Sequence, residues 1–286
     1  QAGPVNKTEI YDIATGIWSD GEDTPNQLVD PDGGEIGPAV LIPSGKIFQV
    51  GGRPCSGDAV CAGHTAVYDT LTGHWTAGPD IPYVNKASGD SSDGPAALLT
   101  PGPVLIQTGP FYATPSHFFE WNGVRLIRVS EPAQAPDITS FEGRMMVLPT
   151  GEIFWTSDLG DIEVYATRYK ANPDWAPTIA GVATTLARGH VGYDISGVRF
   201  NGMTEGSGYG DDAQSFTNFP LVRITNSQTG HVCYARTHGH SAMGINAPGD
   251  PTSTKFDLPK TCDAGAGKLV VVANGMASPP VDVTVN

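Results

Sequence analysis

Two histidines, His238 and His240, stand two residues apart in the stretch RTHGHSAMG, which follows strand-like residues. Side chains at i and i+2 of a β-strand share a face, and imidazole nitrogens suit transition metals, so the pair is a candidate half of a metal site. The plainer account is two hydrogen-bonded side chains at the rim of a sheet. Carboxylates gather in three short stretches: DPDGGE (Asp30, Asp32, Glu35), GDSSDG (Asp90, Asp93) and GYGDDAQ (Asp211, Asp212). Oxygen ligands at such spacing suit a hard cation, and Asp30, Asp32 and Glu35 form the first-choice candidate calcium loop. That loop resembles half an EF-hand loop without its closing glutamate, and aspartates that simply form Asp-Gly turns are the competing explanation. No GxSxG, P-loop, HExxH or strand-flanked GxGxxG occurs, and no spacing of Ser, His and Asp picks out a triad. Glycoside chemistry needs only two carboxylates about 5–10 Å apart, which a chain with 30 acidic residues does not exclude.

The elements that must position these groups are short and extended. Hydrophobic residues make up 39% of the 286, charged residues only 16%, and 36 Gly with 24 Pro supply turns in place of long helices. The formal charge of -14 opposes binding to nucleic acid or an anionic membrane, since the 16 basic residues are scattered. Apolar runs such as KLVVVA fall far short of the roughly 20 residues a membrane span needs, and no charged-then-apolar leader is present. A soluble, processed chain is expected. Four cysteines allow three pairings; nearness in sequence favours Cys55 with Cys61 and Cys233 with Cys262. Neither spacing fits a CxxC redox or zinc motif, so the cysteines are read as structural bridges in an oxidising, secreted or extracellular setting. An acceptor triplet for N-glycosylation at Asn6 agrees with that setting.

Two kinds of segment alternate through the first 177 residues. Inner hairpins, apolar on both faces, are GPAVLIPSGKIFQVGG from Gly37, GPAALLTPGPVLIQTG from Gly94 and GRMMVLPTGEIFWTS from Gly143. Outer hairpins with an aromatic pair are EIYDIATGIWSDGEDTP from Glu9 and AVYDTLTGHWTAGPDIP from Ala66, with weaker copies from His117 and Ile162. Tyr11 to Tyr68 and Gly37 to Gly94 each span 57 residues. Two hairpins per period make a four-stranded unit of propeller-blade size. The pattern VYD..TG.W after a GG turn resembles the kelch repeat, which implies that Tyr11, Trp18, Tyr68 and Trp75 pack as blade core. Four outer hairpins against three inner ones give about 3.5 blades, beginning in the middle of one, and an open propeller leaves strand edges unpaired. The expectation is completion from outside: the rest of a longer polypeptide, another chain, or a second copy.

From residue 178 to 286 the blade pattern gives way to alternating strands separated by single turns, read as an immunoglobulin-like sandwich. Kelch blades followed by a sandwich ending in VVVANGMASPPV resemble the galactose oxidase and glyoxal oxidase superfamily. The resemblance implies a copper-radical site held by two tyrosines and two histidines, one tyrosine crosslinked to a cysteine. It places His238 at the copper position of the sandwich and a Tyr-His pair just before the inner hairpin RMMVLPTGEIF, where this chain has Phe141 and Glu142. Phenylalanine has no phenol oxygen and glutamate no imidazole, so the redox pair is not retained at the matching position. The expected protein is all-β, a partial kelch propeller (1–177) and an immunoglobulin-like domain (178–286). Its expected role is non-catalytic extracellular binding of glycan or protein, or structural assembly. A copper-dependent oxidase with its remaining ligands outside the chain is the alternative, and a glycoside-active enzyme a lesser one.

Overall fold

The computed structural model describes residues 6–57, 60–82, 89–100, 102–167, 170–245, 247 and 249–286. With 43% of residues in strands and 3% helical, the protein is all-β and built from several sheets. It divides into two compact units. The first comprises Gln1–Met146, Ile153–Ala166 and Gly206–Ser215; the second comprises Val147–Glu152, Thr167–Glu205 and Phe216–Asn286. The chain therefore does not change unit once at residue 178: a late hairpin returns to the first unit.

In the first unit, β1 (Glu9–Asp12) and β2 (Ile17–Asp20) form a sheet of two strands. β3 (Ala39–Leu41), β4 (Lys46–Val50), β5 (Thr65–Asp69) and β6 (His74–Ala77) form a four-stranded antiparallel sheet in chain order. β7 (Pro95–Leu98), β8 (Val104–Thr108), β9 (His117–Trp121) and β10 (Leu126–Arg128) repeat that order. β11 (Gly143–Val147), β12 (Ile153–Ser157) and β13 (Ile162–Tyr165) form a sheet of three strands. Further along the chain come β14 (Thr178–Val182), β15 (Thr185–Leu186) and β16 (Tyr193–Val198), then the returning hairpin β17 (Gly206–Tyr209) and β18 (Ala213–Phe216). β17 pairs antiparallel with β7, Ser207 opposite Ala97 and Tyr209 opposite Pro95, so that sheet has six strands.

Alternation along the strands decides which side chains are covered. On one face of the β3–β6 sheet, Val40, Phe48 and Val50 join Ile81, Ala96, Leu98, Val104, Ile106, Phe119 and Trp121 in one buried cluster. Phe48 stacks on Trp121 at 3.9 Å, and a fully buried phenylalanine of this kind stabilises by roughly 2–3 kcal/mol. The hairpin turns are set by local chemistry. Asp69 Oδ1 accepts the N–H groups of Leu71 and Thr72, and Gly73 closes the turn at φ +74°; Asp12, Ala14, Thr15 and Gly16 repeat the arrangement.

In the second unit, β19 (Leu221–Asn226), β20 (Val232–His238), β21 (Pro251–Asp257), β22 (Gly265–Ala273), β23 (Met276–Ala277) and β24 (Val281–Val285) complete the set. The strands run β14-β16-β21-β20-β19-β22-β24-β15, with β23 beside β22, in a sheet that curls into a half barrel. Ile195, Val222, Ile224, Phe256, Leu269, Val271 and Val283 fill its core. Both disulfides form, Cys55–Cys61 with Cα atoms 6.2 Å apart and Cys233–Cys262 with 5.5 Å. Among the described residues no helix is long and apolar enough to cross a membrane.

Candidate functional site

The two outer hairpins with the same motif meet different surroundings. In the β5–β6 hairpin Trp75 is half-buried against Leu28, Val29, Ile36 and Ala66, and Tyr68 lies 5.0 Å from it. In the β1–β2 hairpin the same 5.0 Å pair, Tyr11 and Trp18, is 46% and 60% exposed. Tyr11 and Trp18, expected as blade core, are thus exposed in this chain, where no strand other than β2 pairs with β1 among the described residues. β5 pairs with β4 on one side and β6 on the other, whereas β1 pairs with β2 alone among the described residues. Beside β1 runs a groove of about 680 Å³ lined by Glu9, Ile10 and Tyr11, by Ile36, Ile47, Gln49, Tyr68 and Trp75, and by Asp211 and Gln214. Glu22 holds the hairpin in place, accepting the Trp75 N–H at 2.5 Å and lying 3.2 Å from His74 Nδ1.

Three carboxylates converge near Asp211. Glu35, Asp93 and Asp211 each place an oxygen within 4.8 Å of the others, an oxygen-only set of the kind hard cations take. Burial, followed by the charge of Glu35 and then of Asp212 and Asp211, pushes Asp93 up to about 6. Burial and the charges of Asp211 and Asp212 likewise raise Glu35. Asp93 Oδ1 is buried with no hydrogen-bond partner, and the residue sits at a left-handed φ of +50°. Tyr112 is raised by burial and then by the charges of Asp93, Glu35, Asp30 and Asp90.

The expected calcium loop is corrected in this light. Asp30 is wholly buried and spends its oxygens on the N–H groups of Asp32 and Gly33. Asp32 accepts from Arg53 Nη2 at 2.7 Å and from the Gly57 N–H at 2.8 Å. Of the three, only Glu35 reaches the convergent set: Asp30 caps the loop's own backbone, and Asp32 is paired with Arg53, whose guanidinium lies 3.6 Å above the Phe111 ring. Asp90, also fully buried, accepts the Arg53 N–H, the Ser92 N–H and the Ser92 hydroxyl, yet burial still raises it to about 6.

Each histidine of the candidate pair has a hydrogen-bond partner. His238 is the last residue of β20, and Gly239 follows at φ +62°, a conformation that ends the alternation. His238 Nε2 lies 2.9 Å from Asp257 Oδ1, while His240 Nδ1 lies 2.9 Å from Thr254 Oγ1. The two imidazoles thus have different hydrogen-bond partners, three residues apart on β21. Burial, then the nearby His238, lowers His240. Partial desolvation works against Asp257, but the bonds from His238 and the Gly192 N–H hold its carboxyl below the ordinary range.

Phe141 and Glu142 lie in the short 3-10 turn Ser140–Glu142. Glu142 accepts the Thr139 N–H at 2.6 Å, and the Phe141 carbonyl accepts the Tyr209 hydroxyl at 2.8 Å. Both have structural tasks. Residues that sequence reasoning passed over are Glu22, Gln214 and Tyr112. Only Glu22 carries a signal, as the acid that follows the aromatic hairpin where its counterpart hairpin has proline. No protein-family model matches the chain, and no curated protein matches it either.

Proposed function

We propose that this chain is a secreted, non-catalytic binding and assembly protein built on the kelch and immunoglobulin-like scaffold of the galactose oxidase superfamily. The observation that carries the reading is the groove that Glu9, Tyr11, Tyr68, Trp75 and Asp211 line together. The successive sheets β3–β6 and β7–β10, each antiparallel in chain order, support blades; the common core of β16, β19, β21, β22 and β24 supports a sandwich. Two disulfides fit an extracellular setting. The copper-radical branch of that superfamily is disfavoured by residue chemistry: Phe141 and Glu142 offer neither phenol nor imidazole, and His238 is committed to Asp257. The groove of about 680 Å³, with Tyr11, Tyr68 and Trp75 among its lining, offers the mixed aromatic and polar wall that recognition sites use.

Light scattering of the purified protein with and without an extracellular extract, together with copper analysis and a peroxide-release assay on galactose and glyoxal, tests the reading. Recovery of a stoichiometric complex without turnover is the expected result. Stoichiometric copper with peroxide release, or a lone monomer of 29.9 kDa that takes no partner, would sink it.

A further inference from the structure

Away from the groove beside β1, a second cleft of about 610 Å³ opens where the β3–β4 turn, the end of β6 and the β9–β10 turn come together. Trp121, on β9, forms part of its wall. The Trp121 ring stacks on Phe48 at 3.9 Å, only 3% of the residue is exposed, and its backbone stands in register with Val104 on one side and Leu126 on the other. Yet its indole Nε1 is buried with no hydrogen-bond partner. A buried tryptophan usually finds an acceptor for that N–H, and an unpaired buried donor costs roughly 1–3 kcal/mol. The same cleft holds the half-exposed Lys46, whose ammonium gives one of its three donors to Asp69 Oδ2 at 3.1 Å. Ile42, Val67 and Val124 supply apolar wall. Among the described residues that line the cleft none carries a carboxylate, although the chain has 30 acidic residues against 16 basic ones.

We propose that this cleft binds a small organic carboxylate with an apolar body, whose oxygens accept from the Trp121 indole N–H and the Lys46 ammonium. An oxygen acceptor completes the donor that the protein itself leaves open, and a negative charge on it makes the contact with Lys46 a charge-assisted one. A cationic ligand would meet Lys46 with no acid in the wall to offset it. The apolar body lies against Ile42, Val67 and Val124, the usual division of labour in a small-molecule site. The bordering turns are set in advance. Asn122 Oδ1 accepts the N–H groups of Val124 and Arg125 at 3.1 and 3.0 Å, and Thr70 Oγ1 donates to the Gly45 carbonyl at 2.5 Å. Little freedom is therefore left for the cleft to lose on binding. The site is separate from the groove beside β1 and does not rest on the assembly reading. Its plain competitor is a water molecule at the indole.

The probes are phenylacetate and phenylacetamide, which share a body and differ in charge, titrated into the intact isotope-labelled protein while the indole N–H signals of its 5 tryptophans are followed by NMR. The Trp121 signal should move saturably with phenylacetate, and phenylacetamide should bind about threefold to fivefold more weakly, the range of an ion pair at a half-exposed position. In K46M and in K46Q, which remove the charge and keep the length of the side chain, the two probes should bind equally while the Trp121 signal still moves. A shift that does not saturate, a saturable shift at other indoles alone, or equal binding of both probes to the unaltered protein would each overturn the proposal and leave water as the partner of this N–H. Retention of the preference for phenylacetate in both Lys46 variants would overturn it as well. None of these outcomes bears on complex formation or copper turnover, so the assembly reading stands or falls by its own experiment.

Discussion

The hairpins β1–β2 and β5–β6 share the motif YD..TG.W, the same aspartate-capped turn and the same 5.0 Å tyrosine–tryptophan pair, yet Trp18 is 60% exposed and Trp75 half-buried. Local chemistry is thus sufficient to make the hairpin but not to bury it. Burial of the aromatic pair is a property of the neighbouring strands, which among the described residues β5 has on both sides and β1 on one.

The largest expected effect separates the two tryptophans. Trp75→Ala should destabilise by about 3 kcal/mol in denaturant unfolding, because it opens a cavity against Leu28, Val29, Ile36 and Ala66. Trp18→Ala should cost under about 1 kcal/mol, as for exposed positions. Equal losses would break the comparison.

Next is the acid cluster at the groove. The folded-state values of Asp90 and Asp93 lie above the ordinary 3.8, at about 6, so the folded protein binds more protons than the unfolded chain between these limits. Stability should therefore fall as pH rises from about 4 to about 6. Asp93→Asn, which tolerates the left-handed backbone, should flatten the profile and raise stability near neutral pH by on the order of 1 kcal/mol, after allowance for solvent screening. Thermal unfolding across that range checks it, and an unchanged slope would place the proton uptake elsewhere.

The smallest effect is local. Glu22→Gln weakens the charge-assisted bond to the Trp75 N–H, and exchange of that amide should quicken several-fold while the amide of Tyr68 is unaffected. Loss of ordered β1–β2 signals in the same variant would sharpen the comparison further, by assigning the placement of the exposed hairpin to this one contact.

Much of the fold was legible. The hairpins at Glu9, Gly37, Ala66, Gly94, His117 and Gly143 declare themselves through turn residues and alternation, which act over a few residues, and Cys55–Cys61 and Cys233–Cys262 pair as nearness suggests. The carboxylate cluster was legible only in pieces. Asp30, Asp32 and Glu35 look like one loop of ligands, but the loop folds about Arg53, and Glu35 is joined by Asp93 and Asp211 through the pairing of β17 with β7. Such a long-range pairing leaves no mark in local pattern. For the histidines a single local detail intervenes: β20 ends at His238 and Gly239 follows at φ +62°, so strand alternation does not extend to His240.

The contact between Glu22 and the Trp75 N–H joins hairpins whose bonded residues are 53 apart in the chain. Because this carboxylate ties the exposed β1–β2 hairpin to the better covered β5–β6 hairpin, the conformational freedom of the first is given up when the second folds, and the two should lose order together.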